Sequence, residues 1–212
     1  VKSKDGILLT EPSKILDRWA EQFKEVLNQD SDFDMAVLQE LPQYDVEPEL
    51  DVLPSLEEVQ KAIQQLSSGK APGDDGIPPE IFKSGGLAIA NRLLEIVTQI
   101  WHEGEAVQDF RDATVIHLYK NKGERSSCDN HRGISLLSIA GKILMRLILN
   151  RLSKHIANIG LIPESQCGFV QGKSTADSSF SLQQLQEKCK LQNQDLYLLF
   201  IDLTKAFDTV NR

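Results

Sequence analysis

The chain has 212 residues, 41% of them hydrophobic, enough to bury a core in one or two domains. No apolar run approaches the length of a membrane span and the amino end carries no signal-peptide pattern, which argues against a membrane partner or secretion. The formal net charge of −8 is unevenly spread: residues 1–110 hold 9 Lys and Arg against 22 Asp and Glu, whereas residues 111–212 hold 14 against 9, so a phosphate-binding surface is expected in the second half.

Ser13 is expected to cap a helix running to about Leu27, with Ile15, Leu16, Trp19, Phe23, Val26 and Leu27 recurring at helical spacing. Asn28 to Asp51 is acidic, holds two prolines and shows no sustained period, as a linker would. Ser55 followed by Glu58 is a capping box that opens a second helix, with Leu56, Val59, Ile63 and Leu66 on one face and Gly69 as its stop. Gly69 to Pro79 holds three glycines and three prolines and must be a loop. By its own chemistry it is an acidic turn between helices, since Asp74 and Asp75 repel nucleic acid. Leu87 to Trp101 is a third helix, turning Leu87, Ala90, Leu93, Leu94, Val97, Ile100 and Trp101 inward before Gly104.

Thr114 to Tyr119 is β-branched and aromatic and runs into Lys120-Asn121-Lys122-Gly123, one strand of a hairpin with a basic tip whose return would bring Arg132 alongside. Ser138 to about Ile156 is a helix with Ile139, Ile143, Leu144, Leu147, Ile148 and Leu152 on its apolar side and Lys142, Arg146, Arg151 and Lys154 elsewhere. Lys142 and Arg151 are either phosphate contacts or part of an ordinary solvated face, and Arg146 and Lys154 are expected on the solvated face. Asp177 to Lys190 is a further helix with Phe180, Leu182 and Leu185 inward. Tyr197 to Ile201 is a short apolar run suited to a strand buried on both faces, which sets Asp202 at its carboxyl end, where open α/β sheets hold ligands. Asp202 is then a metal ligand or the start of a turn, and Asp208 a surface acid in a first helical turn. Cys128, Cys167 and Cys189 lie far apart without a CxxC pair, as reduced thiols in an intracellular protein do, and zinc is not expected.

Four segments taken in order carry a family resemblance. They are Gly69-Lys70-Ala71-Pro72-Gly73-Asp74-Asp75-Gly76-Ile77-Pro78-Pro79-Glu80; Ile116 to Gly123 with Asn130-His131-Arg132-Gly133-Ile134-Ser135-Leu136-Leu137; Gln166-Cys167-Gly168-Phe169-Val170-Gln171-Gly172-Lys173-Ser174-Thr175; and Phe200-Ile201-Asp202-Leu203-Thr204-Lys205-Ala206-Phe207-Asp208. Each is weak alone, and their order makes them specific. Together they resemble the reverse transcriptases of non-LTR (LINE-type) retrotransposons.

The resemblance implies an α-rich α/β chain comprising the fingers and the beginning of the palm of a right-hand polymerase, one portion of a larger open reading frame with an upstream endonuclease domain. It divides the chain into an N-terminal helix and acidic linker (1–54), a helical extension with the Gly/Pro loop (55–110), fingers (111–194), and the first palm strand with the start of the next helix (195–212). It implies RNA-directed DNA polymerase activity on an RNA template, a DNA primer and deoxynucleoside triphosphates, in cytoplasm and nucleus. Two Mg²⁺ ions, with Mn²⁺ as the alternative, would serve the complete enzyme. Asp202 would be the catalytic carboxylate and a metal ligand, joined by the Leu203 carbonyl. Lys120 and Arg132 would meet the triphosphate, and Phe207 would lie under the incoming sugar, its other reading being a core aromatic. Lys70, Lys122, Lys142, Arg151, Gln166, Gly168, Phe169 and Lys173 would face template or other nucleic acid. His131 stands where many relatives carry Tyr, Val170 where a cation is common, and Lys173 where Arg is frequent. The further carboxylates such an enzyme needs, of the form Tyr/Phe-x-Asp-Asp, are not among these residues, so the chain alone is expected not to polymerise. Two other functions fit less of the sequence: a retrotransposon relic that binds nucleic acid without catalysis, and a metal-dependent hydrolase built on Asp202 and Asp208.

Overall fold

The computed structural model describes residues 1–28, 35–41, 45–203 and 205–210. The chain forms two compact units, Val1–Asn150 with Lys205–Arg212, and Arg151–Thr204.

The first unit begins with α1, Pro12–Leu27. Pro12 opens this helix, since a missing N–H costs nothing in a first turn. Ser13 is therefore inside the helix and does not cap it; its hydroxyl donates to the Glu11 carboxylate at 3.1 Å. Trp19, Gln22 and Val26 are buried, whereas Leu16 faces solvent. The expected linker contains α2, Met35–Glu40, and a single 3-10 turn at Pro48–Leu50; its residues 29–34 and 42–44 lie outside the described residues.

The capping box is formed as expected. Glu58 N donates to Ser55 Oγ at 3.2 Å, and Ser55 N donates to Glu58 Oε2 at 2.9 Å, opening α3, Leu56–Gln64. This helix ends before Gly69, because Gln65 is already its cap and Gly69 instead donates its N–H to the Glu80 carboxylate at 2.6 Å. After the loop come α4, Pro79–Ser84, and α5, Gly86–Glu103. Gly104 closes α5 in the left-handed conformation (φ 70°), its N–H donating to Ile100 O, a conformation that suits glycine. Ala90, Leu93, Val97 and Ile100 are buried, and Leu87 is exposed.

A short α6, Gln108–Arg111, leads into an antiparallel hairpin of β1, Ala113–Tyr119, and β2, His131–Leu137. The chain then enters α7, Ile139–Asn158, whose first turn is capped by Ser138: the buried Ser138 Oγ accepts the Gly141 N–H at 3.0 Å. One core runs through this unit, built from Val59, Ala62 and Ile63 of α3, Phe82 of α4, Ala90, Leu93, Val97 and Ile100 of α5, and Ile139, Ile143, Leu144 and Leu147 of α7. The period of the apolar residues in α3, α5 and α7 is the cause, since each presents one stripe that only a neighbouring helix can cover. The stripe of α7 fades toward its end, where Leu152 is exposed.

The second unit contains α8, Thr175–Leu191. The Asp177 carboxylate accepts from the Ser174 N–H at 2.6 Å and from its hydroxyl at 3.0 Å, and these two bonds hold its pKa below the usual carboxylate value. Phe180 and Leu185, expected inward, are exposed, and α8 buries none of its side chains. The expected strand at Tyr197–Ile201 is not formed. Tyr197, Leu199, Phe200 and Ile201 are exposed in an irregular segment. A strand owes its stability to a ladder partner, and the only sheet among the described residues is the pair β1 and β2.

Candidate functional site

The hairpin is the feature that gathers basic side chains. Its register pairs Leu118 with Arg132, Tyr119 with His131 and His117 with Gly133. The ladder extends one step further, with Lys120 N donating to Asn130 O at 2.8 Å. The connecting loop is tied to itself. Tyr119 Oη donates to Gly123 O at 2.6 Å, Asn130 Nδ2 donates to Glu124 O at 2.8 Å, and Gly123 takes a φ of 77° against the Asn130 amide. Lys120 and Lys122 are exposed, and Lys120 Nζ donates to Asp129 O at 2.8 Å. Arg125 lies over the Tyr119 ring, 5.8 Å from its centre.

Strand alternation gives the hairpin two unlike faces. Ile116, Leu118, Ile134 and Arg132 share one face, and all four are exposed. Lys120, two residues past Leu118, continues that face. On the other, His117, His131 and Gly133 meet α1, and the Tyr119 ring lies 5.4 Å from that of His131. Trp19 stacks on the His117 ring at 4.1 Å and 15°, and meets the His131 ring edge-on at 4.9 Å. Phe23 lies so close over Gly133 that a Cβ there would stand 2.6 Å from its ring.

Partial desolvation beside Trp19 lowers the pKa of His117, itself still exposed, from its ordinary 6.5, and the adjacent His131 ring adds to the effect. A depressed imidazole pKa means that the docked state disfavours the proton. Docking is therefore undiminished above the ordinary value and weakens as pH falls below about 6.5 toward the lower, docked value. With Trp101→Phe to leave Trp19 as reporter, emission is expected to shift to the red between about pH 7.5 and about pH 5.5. His117→Phe should remove that dependence, and an acid-induced shift to the blue would contradict it.

Lys70 is exposed in the loop between α3 and α4. The same loop is anchored at Gly73, where a Cβ would come within 2.6 Å of Ser138 N. The backbone of the Gly/Pro loop thus rests directly on the junction of β2 and α7. Lys142 on α7 is half-buried, and Phe207 is exposed.

In the second unit, Gln166 Nε2 donates to Gly168 O at 3.0 Å, and Lys173 Nζ donates to Glu164 O at 2.5 Å. Between them Phe169 is 97% exposed with a φ of 59°, a left-handed backbone that is uncommon for an aromatic residue. Gln166, Gly168 and Lys173 therefore belong to one tied loop that presents Phe169 outward. Arg151, near the end of α7, is half-buried. Asp202 and Leu203 are exposed in the irregular segment after α8.

Among the described residues no three His, Cys, Asp or Glu side chains come together to hold a metal ion. A hard divalent cation needs several oxygen ligands, so the exposed Asp202 carboxylate and Leu203 carbonyl do not make a metal centre by themselves. The expected roles thus divide by place: Lys70, Lys120, Lys122, Arg132, Lys142 and Phe207 lie in the first unit, and Arg151, Gln166, Gly168, Phe169, Lys173, Asp202 and Leu203 in the second. Sequence patterning missed what backs the hairpin. The spacing of Trp19 and Phe23 marks them as one buried helical face, and the small Gly133 opposite bulky rings is the single trace of where that face docks.

Residues 119–212 match the family described as reverse transcriptase (RNA-dependent DNA polymerase). The chain is also similar to full proteins of known elements. It is 30% identical over 155 residues to the "Probable RNA-directed DNA polymerase from transposon BS" of Drosophila melanogaster, covering 73% of this chain and 17% of that protein. It is 29% identical over 161 residues to the RNA-directed DNA polymerase from mobile element jockey of Drosophila melanogaster, covering 74% and 17%. It is 28% identical over 156 residues to the retrovirus-related Pol polyprotein from type-1 retrotransposable element R1 of Bradysia coprophila, covering 73% and 15%. The chain thus spans less than a fifth of the length of these curated relatives.

Proposed function

From this chain's membership of the reverse transcriptase family, we propose that it forms the fingers and first palm segment of a right-hand RNA-directed DNA polymerase from a non-LTR retrotransposon. The observation that carries this reading is the hairpin, whose register sets Arg132 and Lys120 on one open face within the stretch that matches the family. Arg132 offers a planar fork to phosphate oxygens and Lys120 a mobile point charge. In this reading they hold the triphosphate of an incoming deoxynucleotide, while Lys70, Lys122, Lys142, Arg151 and the Gln166–Lys173 loop meet RNA template or DNA primer. Phe169, turned outward, would offer a face to a base. Phe207 would restrict the sugar to one without a 2′-hydroxyl.

Mg²⁺ is the proposed cofactor, with Asp202 and the Leu203 carbonyl as the ligands this chain contributes. Because the described residues do not close such a centre, no step of the reaction is assigned to them. By the same reading the complete protein is a polyprotein with an endonuclease domain and works inside the cell.

A single exposed carboxylate also favours a second reading for these 212 residues taken alone, binding without catalysis. The purified chain is accordingly expected to bind an RNA template annealed to a DNA primer and to leave the primer unextended in Mg²⁺ and deoxynucleotides. Extension by the chain, abolished by Asp202→Ala, would overturn this division of labour. Failure to bind the template-primer at all would argue against the nucleic-acid face.

A further inference from the structure

We propose that α1 is a positioning clamp for the triphosphate-binding hairpin, with Trp19 and Gln22 acting through the back of the hairpin to hold Lys120 and Arg132 on its open face. This rests on the reading of Lys120 and Arg132 given above. A two-stranded ribbon is marginal in water unless one face is covered. Here the cover is supplied by a helix from about 90 residues earlier in sequence, and it engages the hairpin in two ways.

The first is apolar. Trp19 is 6% exposed, packed over His117 and against the edge of His131, and its own Nε1 has no hydrogen-bond partner among the described residues. Its hold is therefore stacking and burial. His131 is the immediate neighbour of Arg132, so fixing the His131 ring fixes the backbone from which Arg132 projects to the opposite side. The second is polar and leads to Lys120. The buried Gln22 donates from Nε2 to Asp129 Oδ1 at 3.0 Å and accepts from Arg18 Nη2 at 3.0 Å. Asp129, pinned by its side chain to α1, offers its backbone carbonyl to Lys120 Nζ at 2.8 Å. Ahead of α1, Lys2 N donates to Ser126 O at 2.9 Å and Lys2 Nζ pairs with Glu124 at 2.7 Å, so the amino-terminal segment grips the same loop.

Titration of the 212-residue chain with dATP, followed by NMR shifts of the hairpin amides, tests this. Arg132→Ala is expected to weaken binding about tenfold, Trp19→Ala about fivefold and Gln22→Ala about threefold, while Trp19→Phe, which keeps the stacked ring, stays within about twofold. Residues that act through another lose their effect once it is gone. Trp19→Ala in an Arg132→Ala background, and Gln22→Ala in a Lys120→Ala background, should each change binding by less than about 1.5-fold. If Arg132→Ala leaves dATP binding unchanged, the triphosphate reading fails and the clamp with it. If Arg132→Ala weakens binding but Trp19→Ala and Gln22→Ala do not, or if they weaken it by the same factor in the paired backgrounds, the clamp alone is overturned. Should Trp19→Ala fail to fold, Gln22→Ala and its paired variant decide the matter.

Discussion

Asparagine in place of Asp202 is expected to lower RNA-templated primer extension by about a thousandfold or more in a full-length polymerase containing this sequence. The substitution keeps the size of the side chain and removes its charge. A carboxylate that helps hold a catalytic cation is worth several kcal/mol to the transition state, and each 1.36 kcal/mol is about tenfold in rate. Asp202 is exposed and lies in an irregular segment, so the loss should come without loss of fold, which thermal unfolding of the variant would verify. Asp208→Asn is the contrast. Asp208 donates its N–H to Lys205 O at 2.9 Å in a local turn, and its side chain has no assigned part in polymerisation. Extension reduced equally by both substitutions would point instead to an acidic pair acting together, as in a hydrolase.

The second large effect is on stability. Ile143 and Leu147 of α7 are fully buried among α3, α4 and α5 side chains. Truncating either to Ala leaves a cavity that helices tied by several contacts cannot collapse into. The expected cost is about 3 to 4 kcal/mol for each, within the usual range for Ile or Leu to Ala in a core. That is a large share of the roughly 5 to 15 kcal/mol that holds a domain folded. Met145 stands on the same helix but is exposed, and Met145→Ala should stay within about 0.5 kcal/mol. Urea unfolding of the three variants measures the difference. Equal midpoints for Ile143→Ala and Met145→Ala would show that the core does not run through α7.

The parts of the fold that are legible from sequence are those whose cause is local. Ser55 and Glu58 announce a capping box because both bonds close within one turn, and Gly104 stops α5 because a left-handed cap favours glycine. The hairpin is legible because its pattern of β-branched residues and its polar loop lie in one stretch, and Arg132 comes back where the pattern sends it. What fails is whatever depends on a distant partner. Tyr197 to Ile201 has the composition of a buried strand, yet composition supplies no ladder, and the segment is unpaired. The stripe of α8 likewise tells which residues could be buried without telling what would cover them, and Phe180 stays exposed. At the candidate site, residue types are legible and their surroundings are not. Lys120 and Arg132 are named by motif, whereas the helix that backs them, through Trp19, Gln22 and Phe23, is found only in three dimensions.

The polymerase reading stands or falls on what the open face of the hairpin binds. Steady-state primer extension by a full-length enzyme with Arg132→Ala, alongside direct measurement of template-primer affinity, separates the two substrates. Removing a charged fork from a phosphate costs about 1.5 to 3 kcal/mol, so the KM for deoxynucleotide is expected to rise about tenfold to a hundredfold. The Kd for template-primer should stay within about twofold. Equal weakening of both, or no change in either, would contradict a triphosphate-binding role for this face.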